Sequence, residues 1–431
     1  MKDDRTDKIF EILDTCGADD YLLTDVQTES AELFFVRHRL DTRRSKKTNK
    51  TFVRLYCAGT NDQGERMRGM TDVELLPDTD EETLRRKIAE ALRASEYALN
   101  PFYPLPDAST GREEEQKDFR GMDLFAAAGG MAGALFEADT GTDSFLNSAE
   151  VFATRRTVRI RSSKGTDVRY VRTGVSGEYV VQSKVKEDVE MFREFSFDSY
   201  CPSELRRQAQ QALAYAADRS VAQRALPTGT YRLILSGEEL ATVLSYYVRR
   251  AGASMRYVKY STWEIGDDVQ RARDGQGQAL CLNLVPSVPY SDEGIPMKEL
   301  PLLQDGRLRN YWGPQNYSYY LGVPATGSYS KIRCLNEGAL SESELRREPC
   351  LEVVSFSDFQ MDEFSGHFGG EIRLGYLYRD GKKIPVCGGS VNGNLLQIQD
   401  RILLSTSGYV SSDYEGPECG SFPDVAVAGT M

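Results

Sequence analysis

Two rhythms of hydrophobic and polar positions alternate along the first hundred residues and predict a small unit of helices and strands. Apolar residues recur at helical spacing over residues 4–16, and again after Thr79, which has the spacing of a capping box with Glu82. Between these two helices, residues 31–37 and 51–57 have the continuous or alternating apolar pattern of strands. A helix–strand–strand–helix order follows from these patterns.

The whole chain divides into three predicted regions, residues 1–105, 106–228 and 229–431. A linker with three prolines, residues 100–117, separates the first region from the second. In the second region we predict strands over 157–161, 168–172 and 179–182, and a helix capped by Ser203 that buries Leu205, Ala209, Ala212, Leu213 and Ala216. The predicted fold class is α+β, with N-terminal and central α+β segments followed by a larger strand-rich C-terminal domain.

The charge of the chain argues against nucleic acid as a partner. The 431 residues carry a formal net charge of −12, and duplex DNA repels such a field on average. The densest basic stretch, residues 39–50, lies between two predicted strands, so we interpret it as a solvated hairpin tip.

The cysteines and the hydropathy pattern favour a cytoplasmic protein. Eight cysteines are scattered with no Cys-x-x-Cys pair, which is typical of free thiols in a reducing compartment. No stretch approaches the roughly 20 apolar residues of a membrane span, and residues 1–5 lead into the first helix without an apolar signal region. We therefore expect no membrane association.

The most specific feature is a series of turn-forming segments in the last third of the chain. In order, they are Ser291–Pro296, Leu303–Leu308, Pro324–Gly327, Asp362–Gly366, Gly381–Val386 and Val391–Leu395. Together they resemble the C-terminal domain of the TldD/PmbA family, also called the modulator of DNA gyrase family. The resemblance implies a relation to metallopeptidases, because the family pairs a zinc peptidase, TldD, with a partner that lacks the metal, PmbA or TldE.

The metal helix of the TldD branch has the sequence His-Glu-x-x-x-His after a strand, and the resemblance places Ser245, Tyr246 and Arg250 at its three key positions. Serine is a poor zinc ligand unless it is deprotonated, tyrosine is not a base near neutrality, and arginine carries a permanent charge that repels a cation. The chain contains only two histidines, His38 and His367. We therefore expect no metal and no catalytic residue on this chain, and zinc only on a TldD-type partner.

Two further residues keep an alternative open. Cys419 lies near the position of the third zinc ligand in the TldD branch, and we interpret it as vestigial or simply buried. His367 lies near Asp362, Glu363 and Glu371, which suggests either a metal or general-base site or an exposed histidine in a glycine turn. A divergent metallopeptidase that uses His367 and Cys419 is the corresponding alternative.

The function implied by the resemblance is that of a non-catalytic, PmbA/TldE-like subunit that helps to enclose unfolded or extended peptides for proteolysis or maturation. The partner is then a TldD-like zinc peptidase, or a second copy of this chain if it is a peptide-binding homodimer without hydrolase activity. The candidate residues of the peptide cavity are Ser365, Gly366, His367, Gly370, Asn392, Gly393 and Asn394, because glycine-rich strands let backbones approach closely.

Overall fold

The computed structural model describes residues 4–113, 119, 121–141, 143–272, 276–347 and 349–431, so residues 114–117 of the predicted linker lie outside the described residues. The first half of the chain contains α1 (Asp4–Asp14), β1 (Asp20–Val36), β2 (Arg39–Thr60), β3 (Arg66–Leu75), α2 (Glu81–Ser95), β4 (Leu99–Pro101), β5 (Thr110–Glu113), α3 (Leu124–Ala138), β6 (Ser144–Ser162), β7 (Asp167–Ser183), β8 (Val189–Phe197) and α4 (Pro202–Val221). The second half contains β9 (Gly229–Ser236), α5 (Glu238–Arg250), α6 (Ala253–Tyr257), β10 (Leu282–Val285), β11 (Leu300–Gln304), β12 (Arg307–Leu308), α7 (Gln315–Leu321), β13 (Lys331–Cys334), α8 (Glu342–Leu345), β14 (Cys350–Met361), β15 (His367–Arg379), β16 (Lys382–Val386), β17 (Ser390–Asn394), α9 (Leu395–Ile398), a 3₁₀ helix (Gln399–Arg401), β18 (Leu403–Leu404), β19 (Gly408–Val410), β20 (Tyr414–Pro417) and β21 (Cys419–Ala428).

One twisted sheet runs through the whole first half of the chain. Its described strands have the order β4-β3-β2-β1-β6-β7-β5, and β8 pairs with another part of β7. The sheet continues across residues 105 and 106, since β1 pairs with β6 along most of its length. Helices α1 and α2 cover one end of a single face, and α3 and α4 cover the other end of that face. The opposite face is thereby left for the C-terminal domain.

The strands of this sheet are longer than the apolar pattern predicted. Segments 31–37 and 51–57 lie within or next to β1 and β2, which pair over nearly their full length. Ion pairs across the two strands, Lys47 with Glu29 and Arg44 with Glu32, extend the pairing through a polar stretch that has no apolar alternation. The basic residues 39–50 are therefore exposed positions of β2, and the chain reverses just before them.

Three local predictions need correction. The cap of α2 is Asp80 rather than Thr79: its carboxylate accepts from the Thr83 amide at 2.9 Å and from the Thr83 hydroxyl at 2.9 Å. Residues 179–182 are not a third strand but the end of β7, and β8 is the strand that follows. The helix predicted from Ser203 is α4, with the predicted buried face, but Ser203 is not its cap. The helix starts at Pro202, and the residue at the cap position, Cys201, makes no capping hydrogen bond through its side chain.

Helix α3 was missed by the sequence analysis because three glycines interrupt an otherwise apolar segment.

Two glycines of α3, Gly129 and Gly130, give a matched pair of tests. A Cβ added at Gly129 meets nothing, so Gly129→Ala should raise the free energy of unfolding by about 0.5–1 kcal/mol through helix propensity. A Cβ at Gly130 would lie 2.2 Å from the Tyr200 hydroxyl, so Gly130→Ala should lower the free energy of unfolding by about 1–3 kcal/mol. Urea unfolding of both variants checks this, and shifts of the same sign would contradict the packing of α3.

The C-terminal domain contains two sheets around a shared core. Among the described strands, β14, β9, β21, β17 and β15 pair in that order, and β15 also pairs with β14, so this sheet closes into a ring. The other sheet has the order β12-β11-β10-β13-β20-β19. Helix α5 packs into the core between them. The fold class predicted from the sequence, α+β with a strand-rich C-terminal region, is confirmed.

The segment Ser291–Pro296 attaches the C-terminal domain to the first sheet. The Ser109 hydroxyl donates to the Gly294 carbonyl at 2.5 Å, and a Cβ on Gly294 would meet the Thr166 methyl at 2.6 Å. Beside it, Glu293 is buried and accepts from the Gln315 amide, the first of α7, at 2.8 Å. Burial raises the pKa of this carboxyl. This motif therefore has a structural role between the domains.

Within the described residues, none of the helices is both long and apolar enough to cross a membrane.

Candidate functional site

Helix α5 occupies the position where the resemblance expects a metal helix. Strand β9 ends at Ser236, and Gly237, with φ at 56°, turns the chain directly into α5. Positive φ favours glycine, which has no Cβ to clash with the backbone. The helix buries Leu240, Ala241, Val243, Leu244, Tyr246, Tyr247 and Val248. The predicted strand–helix order is therefore present, and one face of the helix belongs to the core.

The three key positions on α5 make ordinary packing contacts. The Ser245 hydroxyl donates to the Thr242 carbonyl of the same helix at 2.7 Å. The Tyr246 ring is 2% exposed and stands edge-on to Trp263, with 5.9 Å between the ring centroids. The Arg250 guanidinium lies 5.6 Å from the centre of the Trp263 ring and donates to the Tyr260 carbonyl. Trp263 thus joins two of the three side chains in one cluster.

This cluster does not fit a zinc ion. Burial raises the pKa of Tyr246, so its phenol stays protonated near neutrality. A serine hydroxyl bonded to its own helix and a permanently charged guanidinium supply no anionic or imidazole donor. Across the described part of the chain, no group of three or more His, Cys, Asp or Glu side chains is arranged to hold a metal ion.

Cys419 is a buried thiol at the start of β21. It is 1% exposed and packs with Ile234, Leu345 and Cys350. Burial raises the pKa of the thiol to about 12. Because the thiolate is the form that binds metals and attacks substrates, this environment favours a small hydrophobic residue over a ligand.

His367 opens β15 at the rim of an open cleft of about 690 Å³. Its Nδ1 lies 3.0 Å from the Ser365 hydroxyl, and Asn394 Nδ2 lies 3.3 Å from either ring nitrogen. The imidazole is exposed, and its hydrogen-bond partners Ser365 and Asn394 are neutral side chains. The Asp362 carboxylate interacts with the ring electrostatically. His367 is therefore available to a ligand in the cleft.

The three acidic residues near His367 in sequence each have hydrogen-bond or ion-pair partners other than the imidazole. Asp362 accepts from the amides of Phe364 and Ser365, each at 2.8 Å, and these bonds lower its pKa. Glu363 pairs with Arg249 at 2.9 Å, and Glu371 accepts from the Ser357 hydroxyl at 3.1 Å. A general-base or metal arrangement around His367 is therefore not assembled.

Of the seven candidate cavity residues, His367 and Asn392 line the cleft. The other five have structural contacts of their own: Ser365 with His367, Gly366 in a turn at φ 75°, Gly370 against the Asp358 carbonyl, Gly393 under the Phe368 ring and Asn394 as the cap of α9. Strands β15 and β17 pair along these segments, with His367 opposite Asn394 and Gly369 opposite Asn392. The glycines thus serve close packing within the sheet.

The sequence analysis missed the basic and aromatic parts of this cleft. Arg249 and Phe364 line it, and the half-exposed Phe364 ring stands edge-on to Tyr260 at 5.3 Å. Arg249 lies on the exposed side of α5, and helical periodicity could have separated it from the buried positions. No local signal links Phe364 to Tyr260, because about a hundred residues lie between them.

Comparisons with known proteins agree with this architecture. Residues 228–430 match the family model of the PmbA/TldA metallopeptidase C-terminal domain. Three solved structures align over nearly the whole chain. A protein described as a putative modulator of a DNA gyrase from Thermotoga maritima has 16% identity and a TM-score of 0.77, with 99% of this chain and 100% of that chain covered. TldE from Thermococcus kodakarensis has 14% identity and a TM-score of 0.74, with 99% of each chain covered. A protein described as a putative modulator of DNA gyrase from Bacteroides thetaiotaomicron has 16% identity and a TM-score of 0.77, with 100% of this chain and 99% of that chain covered.

No curated protein matches the sequence. At 14–16% identity the three structures establish the fold, and the family model adds the C-terminal domain. The C-terminal domain, residues 228–430, therefore belongs to the TldD/PmbA family, and the chain has the fold of these structures along nearly its whole length.

Proposed function

We propose that this chain is a PmbA/TldE-type subunit without catalytic residues of its own, which works with a TldD-like zinc peptidase on unfolded or extended peptides. Cleavage then takes place on the partner, and this chain contributes part of the cavity that holds the peptide. Zinc belongs to the partner alone in this arrangement.

The observation that carries the proposal is the chemistry of α5. The helix follows its strand as a metal helix does, yet Ser245, Tyr246 and Arg250 provide an internally bonded hydroxyl, a buried phenol and a cation. Zinc needs three donors of the His, Cys or carboxylate type and an open position for water. The buried thiol of Cys419 adds nothing to such a set at neutral pH.

The cleft at His367 is the part of this proposal that concerns peptide binding. Addition of a peptide strand at the glycines themselves is not supported, because β15 lies between β14 and β17 over residues 367–370. The exposed side chains of Arg249, Phe364, His367 and Asn392 offer hydrogen bonds, charge and a ring instead. We therefore assign peptide contacts in this cleft to side chains.

The name "modulator of DNA gyrase", which two of the similar structures carry, does not extend to this chain as a DNA-binding role. Its net charge of −12 opposes contact with duplex DNA. The exposed basic residues of β2 that could counter this field are partly neutralised by Glu29 and Glu32.

The test is affinity purification of the tagged chain from its native host, followed by mass spectrometry and native mass determination. We expect a second chain that contains His-Glu-x-x-x-His in equal amount. Purification of the chain as a pair of identical subunits, with no such partner, would replace the proposal with a peptide-binding homodimer.

A further inference from the structure

A crevice separates the first sheet from the C-terminal domain and runs along the edge of β8. It consists of two connected spaces of about 470 and 340 Å³, which share Glu194, Gln208, Glu238 and Tyr409 as lining residues. It is bounded by β7 and β8, by residues 208–215 of α4, and by the start of α5 with the loop after β19. This crevice is distinct from the cleft at His367.

The edge of β8 that faces the crevice has unused backbone groups. Among the described strands, β8 pairs with β7 alone. The Glu190 carbonyl accepts from Arg219 at 2.5 Å and the Phe192 carbonyl from Arg193 at 3.2 Å, so these even-numbered residues direct their backbone groups away from β7. In an antiparallel strand, the backbone groups of successive residues point alternately to one side of the strand and to the other. Glu194 and Ser196 therefore present their amides and carbonyls to the crevice.

Like charges meet in register on the same part of the sheet. Glu150 lies opposite Glu178, and Glu178 lies opposite Glu194, which places three carboxylates side by side across β6, β7 and β8. Neighbouring carboxylates in such a row repel one another. Nothing among the described residues forms an ion pair with Glu178 or Glu194. A cationic ligand would relieve this repulsion.

The opposite side of the crevice is acidic as well. Glu238 and Asp413 line it, and Glu238 is held by the Tyr409 hydroxyl at 3.1 Å. Arg193 is the single basic residue among the described residues that line the two spaces, and its guanidinium is bonded to the carbonyls of Phe192 and Val354. The crevice therefore combines a free strand edge with a surplus of negative charge on both sides.

We propose that the edge of β8 binds a short extended peptide segment rich in lysine or arginine, as an added strand whose basic side chains meet Glu178, Glu194 and Glu238. An unpaired strand edge supplies backbone hydrogen bonds to any extended peptide, and charge then selects among peptides. The inference rests on the proposed role in peptide handling and names a substrate class for it. Binding itself is a property of this chain alone.

The experiment measures fluorescence anisotropy of short labelled peptides with the full-length chain. The probe is an acetylated peptide of alternating lysine and threonine, compared with a glutamate–threonine peptide of equal length. We expect the lysine peptide to bind at least about tenfold more tightly and to weaken as salt is added, because the crevice is partly open to solvent. Equal binding of the two peptides would overturn the charge preference.

A third peptide separates strand addition from simple charge attraction. Methylation of alternate backbone nitrogens leaves the lysines in place but removes the amides that pair with a strand edge. We expect about tenfold weaker binding, the loss of one or two hydrogen bonds. Undiminished binding of the methylated peptide would overturn the proposal, and this result does not depend on the folding of any variant.

Variants of the chain locate the site. Glu194→Gln should weaken binding about threefold, as expected for one partly exposed charge pair, and Ser196→Pro about tenfold by removing an outward amide at the edge. Glu96→Gln, an equal charge change on an exposed residue at the end of α2, should have no effect. Unchanged binding in both crevice variants would contradict the site. If the chain binds the lysine peptide but purifies without a TldD-like partner, only the proposed function is contradicted. If it purifies with such a partner but does not bind the peptide, only this inference is contradicted.

Discussion

Arg68→Ala is expected to lower the free energy of unfolding by about 3 kcal/mol, because it leaves a buried carboxylate without its main partner. The Arg68 guanidinium is 4% exposed, pairs with Asp20 and donates to the Tyr103 carbonyl. Asp20 keeps the Lys164 ammonium at 3.1 Å and a hydrogen bond from the Ser163 hydroxyl at 2.9 Å, which hold the loss at the lower end of the range for broken buried pairs. Equilibrium urea unfolding measures the change.

The matched control for Arg68 is Arg54→Ala in the neighbouring strand. Arg54 pairs with Asp72 at 2.6 Å, but the two side chains are 31% and 56% exposed. A pair of this kind contributes about 0–1 kcal/mol. Equal losses in the two variants would mean that the Arg68–Asp20 pair is not buried as described.

Glu239→Gln is expected to stabilise the fold at pH 8 by about 1–3 kcal/mol. Burial at the start of α5 raises the pKa of Glu239 from 4.5 to about 7. The charged and titratable groups that face it are Arg193, Tyr215, Glu238, Tyr409 and Glu418, from β8, α4, α5, β19 and the residue before β21. The expected gain in stability is smaller than the full pKa shift would give, because the Glu239 side chain keeps some contact with solvent.

The sign of this effect follows from proton binding. The folded state holds the Glu239 proton more tightly than the unfolded state, so the contribution to stability is complete below pH 4.5 and is lost as the pH rises through about 7. Glutamine carries no such penalty, so the two proteins should have similar stability near pH 4 and diverge above it. Urea unfolding across pH 4–8 tests this, with Glu96→Gln as control. A difference that is constant over this pH range would contradict the buried position of Glu239.

Elements with a complete local pattern were predicted well from the sequence. The buried face of α4 repeats at helical spacing, and strand β9 followed by a helix was expected from the resemblance to the metal helix of the TldD branch. The extra length of β1 and β2 was not predictable in the same way. Their polar halves are held by the cross-strand pairs of Lys47 and Arg44, which depend on register rather than on composition.

The sites were harder to predict because long-range pairing decides their chemistry. The motif containing His367 was found, but the sequence does not show that β15 lies between β14 and β17, with its glycines in sheet contacts. Likewise, Glu150, Glu178 and Glu194 are unremarkable along the chain and become a row only through the register of three strands. The absence of a His-Glu-x-x-x-His motif, by contrast, is a property of the sequence itself.

The most direct test of the central claim is a paired measurement on the pure recombinant chain, zinc content by elemental analysis and hydrolysis of unfolded peptides with and without a chelator. Since α5 offers Ser245, Tyr246 and Arg250 in place of ligands, we expect zinc far below one ion per chain and no hydrolysis above the protein-free control. One zinc per chain together with hydrolysis that the chelator abolishes would contradict the account.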